Sequence, residues 1–342
     1  MTSWEREPVF THLRRLTDAR GVFEHASFDT PRREHGYCVD DVARALIVLA
    51  REPHLEPAMS GIASLCLSFV ESAVAPDGRV RNRMSSDGRF TDRPGTGDWW
   101  GRAVWSLGVA FARLRTDAET ARALAGFARA ARVRSPHVRA MAFAALGAAE
   151  VLRVRPADGP ARDLLRDAAR MIRIPGDAPW PWPEPRLRYA NAVLPEALLA
   201  AGDALGDDDA LGRGLSMLRF LLEVETTDGR LSVTGSHGRG PGERGPQFDQ
   251  QPIEVAAIAD ACARAFELTG DSSWRDAVGS AWRWFLGEND THTRLFDPET
   301  GAGYDGLTPE GRNENRGAES TLAMLSTFQQ ARRLGALDTV AR

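Results

Sequence analysis

Apolar residues recur along this chain with helical spacing. Long alanine- and leucine-rich segments alternate with loops rich in Gly, Pro, Asp and Arg, and strand-like alternation is scarce. The pattern predicts about twelve helices of two kinds. One kind, near residues 4–18, 55–74, 118–132, 159–173, 208–225 and 272–287, is amphipathic, with arginine and acid on one side, as in helices that face solvent. The other begins near Asp40, Asp98, Pro136, Asn191, Pro252 and Gly317 and is apolar on most faces. The stretch Ala140-Met141-Ala142-Phe143-Ala144-Ala145-Leu146-Gly147 reads as buried on both sides.

The two kinds alternate strictly, and the buried members start about 55 residues apart, an internal period that predicts six helical hairpins closed into a ring. The expected architecture is therefore all-α, an (α/α)6 barrel, and one domain over residues 1–342, since no linker or compositional break divides the chain. Connections entering the buried helices are long (19–38, 75–97, 174–189, 226–251, 288–316), whereas those leaving them are mostly short. Function is expected where the long loops gather, at the N-terminal ends of the inner helices.

Composition narrows the chemistry. Hydrophobic residues make up 43% and charged residues 26% of the 342, ordinary for a chain with a large core. A net charge of -4 and a pI near 6.0 give no general basic surface, which argues against a nucleic-acid partner. No apolar run approaches the ~18 residues of a membrane span, and Met1-Thr2-Ser3-Trp4-Glu5-Arg6 lacks the layout of a signal peptide. A cytoplasmic location is expected. All 43 basic residues are arginine. Schiff-base chemistry, pyridoxal phosphate anchoring and the P-loop lysine are thereby excluded. Cys38, Cys66 and Cys262 are far apart and form no metal-binding pair. There is no HExxH and no glycine-rich dinucleotide turn, so neither a metal nor an organic cofactor is expected, although carboxylates can hold calcium.

The starts of the inner helices carry the candidate chemistry. They hold His35-Gly36-Tyr37-Cys38-Val39-Asp40-Asp41, Gly97-Asp98-Trp99-Trp100-Gly101-Arg102, Trp180-Pro181-Trp182-Pro183-Glu184 and Tyr189-Ala190-Asn191. Two more are Phe248-Asp249-Gln250-Gln251-Pro252-Ile253-Glu254 and Asn313-Glu314-Asn315-Arg316-Gly317-Ala318-Glu319. Acids at helix N-termini are favoured as caps, and Gln251-Pro252-Ile253-Glu254 fits that pattern. Capping does not account for the indoles and amides beside them. A sugar ring requires apolar platforms for its C–H faces and planar polar groups for its hydroxyls. Adjacent Asp40 and Asp41 diverge by about 100° on a helix, so one is expected to face the cavity and the other to cap or to pair with an arginine. A DDxxD-type diphosphate site is disfavoured, because Val42-Ala43-Arg44 follows and no second motif appears.

The segments HGYCVDDVARAL, WPWPEPRLRYANAVLPEALL, FDQQPIEVAAIADA and NRGAESTLAML resemble, in order and over residues 30–330, a bacterial six-hairpin helical domain. That domain occurs alone, or fused to or encoded beside glycosyltransferases. The resemblance implies a carbohydrate-linked (α/α)6 domain, an associated glycosyltransferase as partner, and roles for Glu184, Asn191, Gln250, Gln251, Glu254 and Glu319. One departure is visible: the family tends to have Tyr-Asp-Asn where this chain has Tyr189-Ala190-Asn191, which excludes an essential role for that acid here. The resemblance does not imply glycosyl transfer by this chain, which has no nucleotide-sugar domain.

The leading expectation is a glycoside hydrolase acting on an oligosaccharide or glycoconjugate, because glycosidic cleavage needs two carboxyl groups of different protonation. Its catalytic candidates are Glu254 as general acid and Asp41 as base, with Asp98 and Glu319 in reserve. Analogy with other helical-barrel glycosidases favours inversion. The substrate-binding candidates are His35, Tyr37, Asp40, Trp99, Trp100, Arg102, Trp182, Glu184, Asn191, Gln250, Gln251 and Asn315. A non-catalytic glycan-binding accessory module would use the same groups without turnover. A sugar epimerase would use histidines as acid and base, and of the seven histidines only His35 lies in a rim motif.

Overall fold

The computed structural model describes residues 7–174 and 179–337. Among them are twelve α-helices: α1 (Thr11–Arg15), α2 (Val39–Arg51), α3 (Pro57–Ala73), α4 (Asp98–Arg113), α5 (Asp117–Ala130) and α6 (Val138–Val154). They continue with α7 (Gly159–Met171), α8 (Val193–Leu205), α9 (Asp208–Val224), α10 (Pro252–Thr269), α11 (Ser272–Leu286) and α12 (Ala318–Arg333). The even-numbered helices form a closed inner ring in the order α2, α4, α6, α8, α10, α12 and back to α2, with the odd-numbered helices packed behind them. This is the expected (α/α)6 barrel.

Burial follows the sequence pattern. Every residue of α6 from Arg139 to Leu152 is buried, whereas outer α7 buries only Ala161, Leu164, Leu165, Ala168 and Ala169, a stripe of three-four spacing. Each leucine of that stripe contributes about 1.5–3 kcal/mol by leaving water. The strands are all two-residue pairs in the long entering loops, such as Tyr37–Cys38 with Arg83–Met84.

Short exits from the inner helices have a local cause. Gly206 and Gly270 take left-handed backbone after α8 and α10, and the next residues, Asp207 and Asp271, accept N–H bonds of 3.0 Å from Ala210 and Ser273 at the start of the outer helix. A helix stop and a helix start thus fit into two residues.

One outer helix is shorter than expected. A helix over 4–18 becomes Thr11–Arg15, with residues 4–6 outside the described region. Its end is fixed by the Thr17 hydroxyl donating to Leu13 O and by the Asp18 carboxylate accepting from Arg20 N and Gly21 N, a turn that reverses the chain.

Packing is tightest between α4 and α6. Gly101 lies against the backbone of Ala140, and Gly108 against that of Gly147, so that a Cβ at either position would overlap a carbonyl of the facing helix. No helix among the described residues is long and apolar enough to cross a membrane.

Candidate active site

The inner helices carry their side chains in layers, each one turn below the last. On α2 the order is Asp40 and Asp41, then Arg44, then Ile47 and Val48, then Arg51. On α4 it is Asp98, Arg102, Trp105. On α12 it is Glu319, then Leu322 and Ala323, then Ser326. Where the inner N-termini meet, a cavity of about 520 Å³ opens, lined by Asp40, Asp41, Asp98, Glu319, Arg44, Arg102, Gln251 and Tyr189. The entering loops add Glu24, His25, Cys38 and Asp305.

The rim acids do not cap their own helices. None of α2, α4, α6, α8, α10 and α12 has a side-chain N-cap hydrogen bond, in contrast to α5, α7, α9 and α11, which are capped by Thr116, Asp158, Asp207 and Asp271. The acids point instead at one another and at two guanidinium groups. Arg44 bridges Asp41 and Glu319, with 2.6 Å to Glu319 Oε2, and the Cys38 thiol donates to Asp41 Oδ2 at 3.1 Å. Both Asp41 oxygens are therefore engaged. Burial pushes the Asp41 carboxyl up to about 6 against the pull of Arg44.

Asp40 differs. Its Oδ1 lies 3.0 Å from Arg102 Nε, yet outside hydrogen-bonding geometry, so this buried oxygen has a charged neighbour but no donor. Burial raises the Asp40 pKa despite Arg102 and Arg44. Asp98 accepts the Tyr189 hydroxyl at 2.7 Å through Oδ2. Burial, then that bond, pushes Tyr189 up to about 12. Asp305 accepts Gly317 N at 2.7 Å and is likewise raised by burial. The expectation that only one of Asp40 and Asp41 faces the cavity is corrected: both line it, and each has its own arginine.

Several expected site residues lie elsewhere. Glu254 is behind the wall: its carboxylate accepts from Ala190 N, Asn191 N and, at 3.0 Å, Asn191 Nδ2, which clamps the loop entering α8. Burial and the nearby Glu225 charge raise its pKa. With its oxygens committed to backbone, Glu254 is not placed to protonate a ligand in the cavity. Asn191 is fully buried in the same clamp, where Arg139 ties it to Glu184 and to Tyr189 O. Of the five residues expected to open on one cavity, Asp41, Asp98 and Glu319 do; Asn191 and Glu254 do not.

The indoles are structural as well. Trp99 donates to Val80 O, Trp100 to Ala130 O and Trp180 to Glu184 O, while Trp182 is buried against Phe220 of α9. Trp100 thus turns to outer helix α5 and Trp99 to the loop entering α4, and neither lines the carboxylate cavity. Gln250 donates to Asp290 and accepts from Trp284, Tyr37 donates to Asp18, and Asn315 accepts from Phe28 N. His35 reaches the cavity only through His25, Nδ1 to Nδ1 at 3.0 Å.

Sequence reasoning missed Glu24, His25, Arg44 and Asp305. Arg44 had a signal, since it lies three and four residues after Asp41 and Asp40 on one helix face. The others sit in the long entering loops, where position in the chain does not reveal which side chains converge. Among the described residues one grouping has metal-ligand spacing: oxygens of Glu24 and Asp41 and the Cys38 sulfur lie within 4.8 Å of one another. Glu24 is paired with Arg83, Asp41 with Arg44, and burial holds the Cys38 thiol protonated. The trio is thus charge-compensated without a cation.

No family model matches the chain, and no curated protein does. Among solved structures the chain is similar to a sugar epimerase from a ruminal bacterium, at 15% identity and a TM-score of 0.69, covering 95% of this chain and 96% of that one. It is also similar to cellobiose 2-epimerase from Bacillus thermoamylovorans, at 11% identity, 94% and 96% coverage and a TM-score of 0.71. An α-mannanase from Bacteroides thetaiotaomicron matches at 10% identity, 94% and 92% coverage and a TM-score of 0.65. At these identities the likeness is one of fold.

Proposed function

We propose that this chain is a carbohydrate-active enzyme, a glycoside hydrolase whose site is the carboxylate-lined cavity at the N-terminal rim. The observation that carries this reading is Asp40, a half-buried acid with raised pKa and a buried oxygen lacking a donor, in one cavity with Asp98 and Glu319. Asp40 then supplies the proton to the glycosidic oxygen as its bond to the anomeric carbon breaks. Asp98, oriented by Tyr189, takes the proton of the attacking water, with Glu319 as the alternative base. Asp41 and Arg44 position Glu319 and do not react. Similarity of fold to sugar-processing enzymes, an α-mannanase among them, supports the substrate class. The mechanism needs no cofactor, and inversion at the anomeric carbon is part of the proposal.

A second reading is favoured by one contact. The His25–His35 pair stands at the cavity edge and has the side-chain type an epimerase would use to remove and return a proton beside a carbonyl.

The test is a panel of oligosaccharides offered in D2O to wild type, Asp40→Asn and Asp98→Asn. Hydrolysis yields new reducing ends, and each isosteric variant is expected to lose ~10²–10⁴-fold in rate while still binding. Deuterium gained at a sugar C2 with no new reducing ends would replace this reading by the epimerase. Binding without either change would leave an accessory module for a glycosyltransferase.

A further inference from the structure

Beneath the carboxylates the barrel axis continues into a narrower space of about 60 Å³. Arg44, Arg102, Ile253 and Glu319 border both spaces and form a collar between them. Below the collar the walls are Ile47, Trp105, Phe143, Ala257, Leu322 and Ala323. Trp105 and Phe143 are stacked with centroids 6.0 Å apart, and the Arg102 guanidinium covers Phe143 at 3.9 Å. The polar groups at the floor are committed to each other: Asp260 to Arg51 at 2.9 Å, and Glu196 to Arg264 at 3.2 Å.

A buried water needs about 10–15 Å³ of such space and two to four polar partners. The well has the room, but below the collar its walls are apolar and its floor acids are already paired, so an apolar group gains by filling it. A hydroxyl carried into it would leave water without a new hydrogen bond.

Resting on the proposal that the rim cavity holds a sugar, we infer that this sugar points a methyl group down through the collar into the well. The substrate is then a methyl-bearing sugar, either a 6-deoxyhexose or an N-acetylated amino sugar. Helix spacing supports the fit, because Leu322 and Ala323 stand one turn below Glu319, and Ile47 and Val48 one turn below Arg44. A ring anchored at the acids and seated on the collar therefore directs a substituent of one to three bonds into the well.

The experiment measures binding of matched pairs by NMR titration: L-rhamnose against L-mannose, L-fucose against L-galactose, and N-acetyl-D-glucosamine against D-glucose. At least one methyl-bearing member is expected to bind ~10-fold or more tightly than its partner, and the arm that responds names the source of the methyl. Ala257→Leu fills the well and is expected to bring that sugar down to the affinity of its partner. Ala323→Leu, from another helix, repeats the test should the first variant not fold. Equal affinities within every pair, with sugars bound, would overturn the methyl inference and leave the sugar site standing. No sugar bound at all would overturn the carbohydrate reading and this inference with it. A preference unchanged in both folded variants would place the methyl elsewhere and refute the well.

Discussion

The two ends of this barrel are built from the same inner helices yet treat charge in opposite ways. At the lower end, around a cavity of about 380 Å³, acids and arginines are matched: Arg51 with Asp260, Arg264 with Glu196, Arg113 with Glu150 at 3.5 Å, and Arg332 with Glu52 at 2.6 Å. Four of the six outer helices, α5, α7, α9 and α11, are capped by Thr or Asp, whereas α1 and α3 have no side-chain cap. At the upper rim Asp40, Asp41, Asp98, Asp305 and Glu319 share two lining arginines, Arg44 and Arg102, and the inner helices start without side-chain caps. Their N-terminal dipoles favour the excess negative charge. The lower end pairs its acids with arginines and ties neighbouring helices together, whereas the upper end carries more carboxylates than arginines and so an excess of charge for something that enters.

This contrast can be broken by mutation, and the lower end should show the largest effect. Asp260→Ala leaves Arg51 buried without its carboxylate and is expected to cost about 3–5 kcal/mol in chemical denaturation. A cost below 1 kcal/mol would mean that the pairing there is incidental.

Acidity sharpens the same point. Glu196 is pushed up to about 7, by burial first and then by Asp260, although Arg264 pairs with it. The unfolded value is about 4.3, so the native state holds the extra proton. The stability from this group is full below the unfolded value and is lost as pH rises through 7. Wild type should therefore lose up to ~1.4 kcal/mol per pH unit between pH 5 and 7 relative to Glu196→Gln. Parallel stability curves for the two proteins would refute the shift.

The smallest expected effect compares helix starts. Asp207→Ala removes the cap of α9 and should cost ~1 kcal/mol. Asp98→Asn, at the uncapped start of α4, should change stability by less than ~0.5 kcal/mol. Equal losses in thermal or urea unfolding would make Asp98 a structural acid like Asp207.

The ring itself was legible because it is written in periodicity: a stripe such as Ala161, Leu164, Leu165 and Ala168 can only be an outer helix, and a run such as Arg139–Leu152 only an inner one. Loop length likewise pointed to the rim at which the carboxylate-lined cavity opens. What could not be read was side-chain direction at the helix starts. Trp99 and Asp98 are neighbours in sequence, but one turns to Val80 and the other meets Tyr189. Glu254 lies in the first turn of α10, as Asp40 and Asp98 lie in the first turns of α2 and α4. The difference is Ala190-Asn191, whose backbone N–H groups come from a loop more than sixty residues away in sequence and occupy its oxygens. Convergence of the loops also hid His25 and Asp305, which no local motif marks.

The glycine contacts between α4 and α6 bear on how the ring can breathe. With backbone against backbone at Gly101 and Gly108, these two helices have no room to slide or close further on each other at those points and are expected to move as a pair. Any widening of the mouth for an incoming ligand is therefore expected across the ring, where α8 with α10 and α12 with α2 are packed less closely. The entering loops 226–251 and 288–316 lead into α10 and α12 on that side. Asp98 and Arg102 stand on that tight pair, while Glu319 stands across the ring on α12, so the spacing of the acids across the cavity depends on the separation of the two sides.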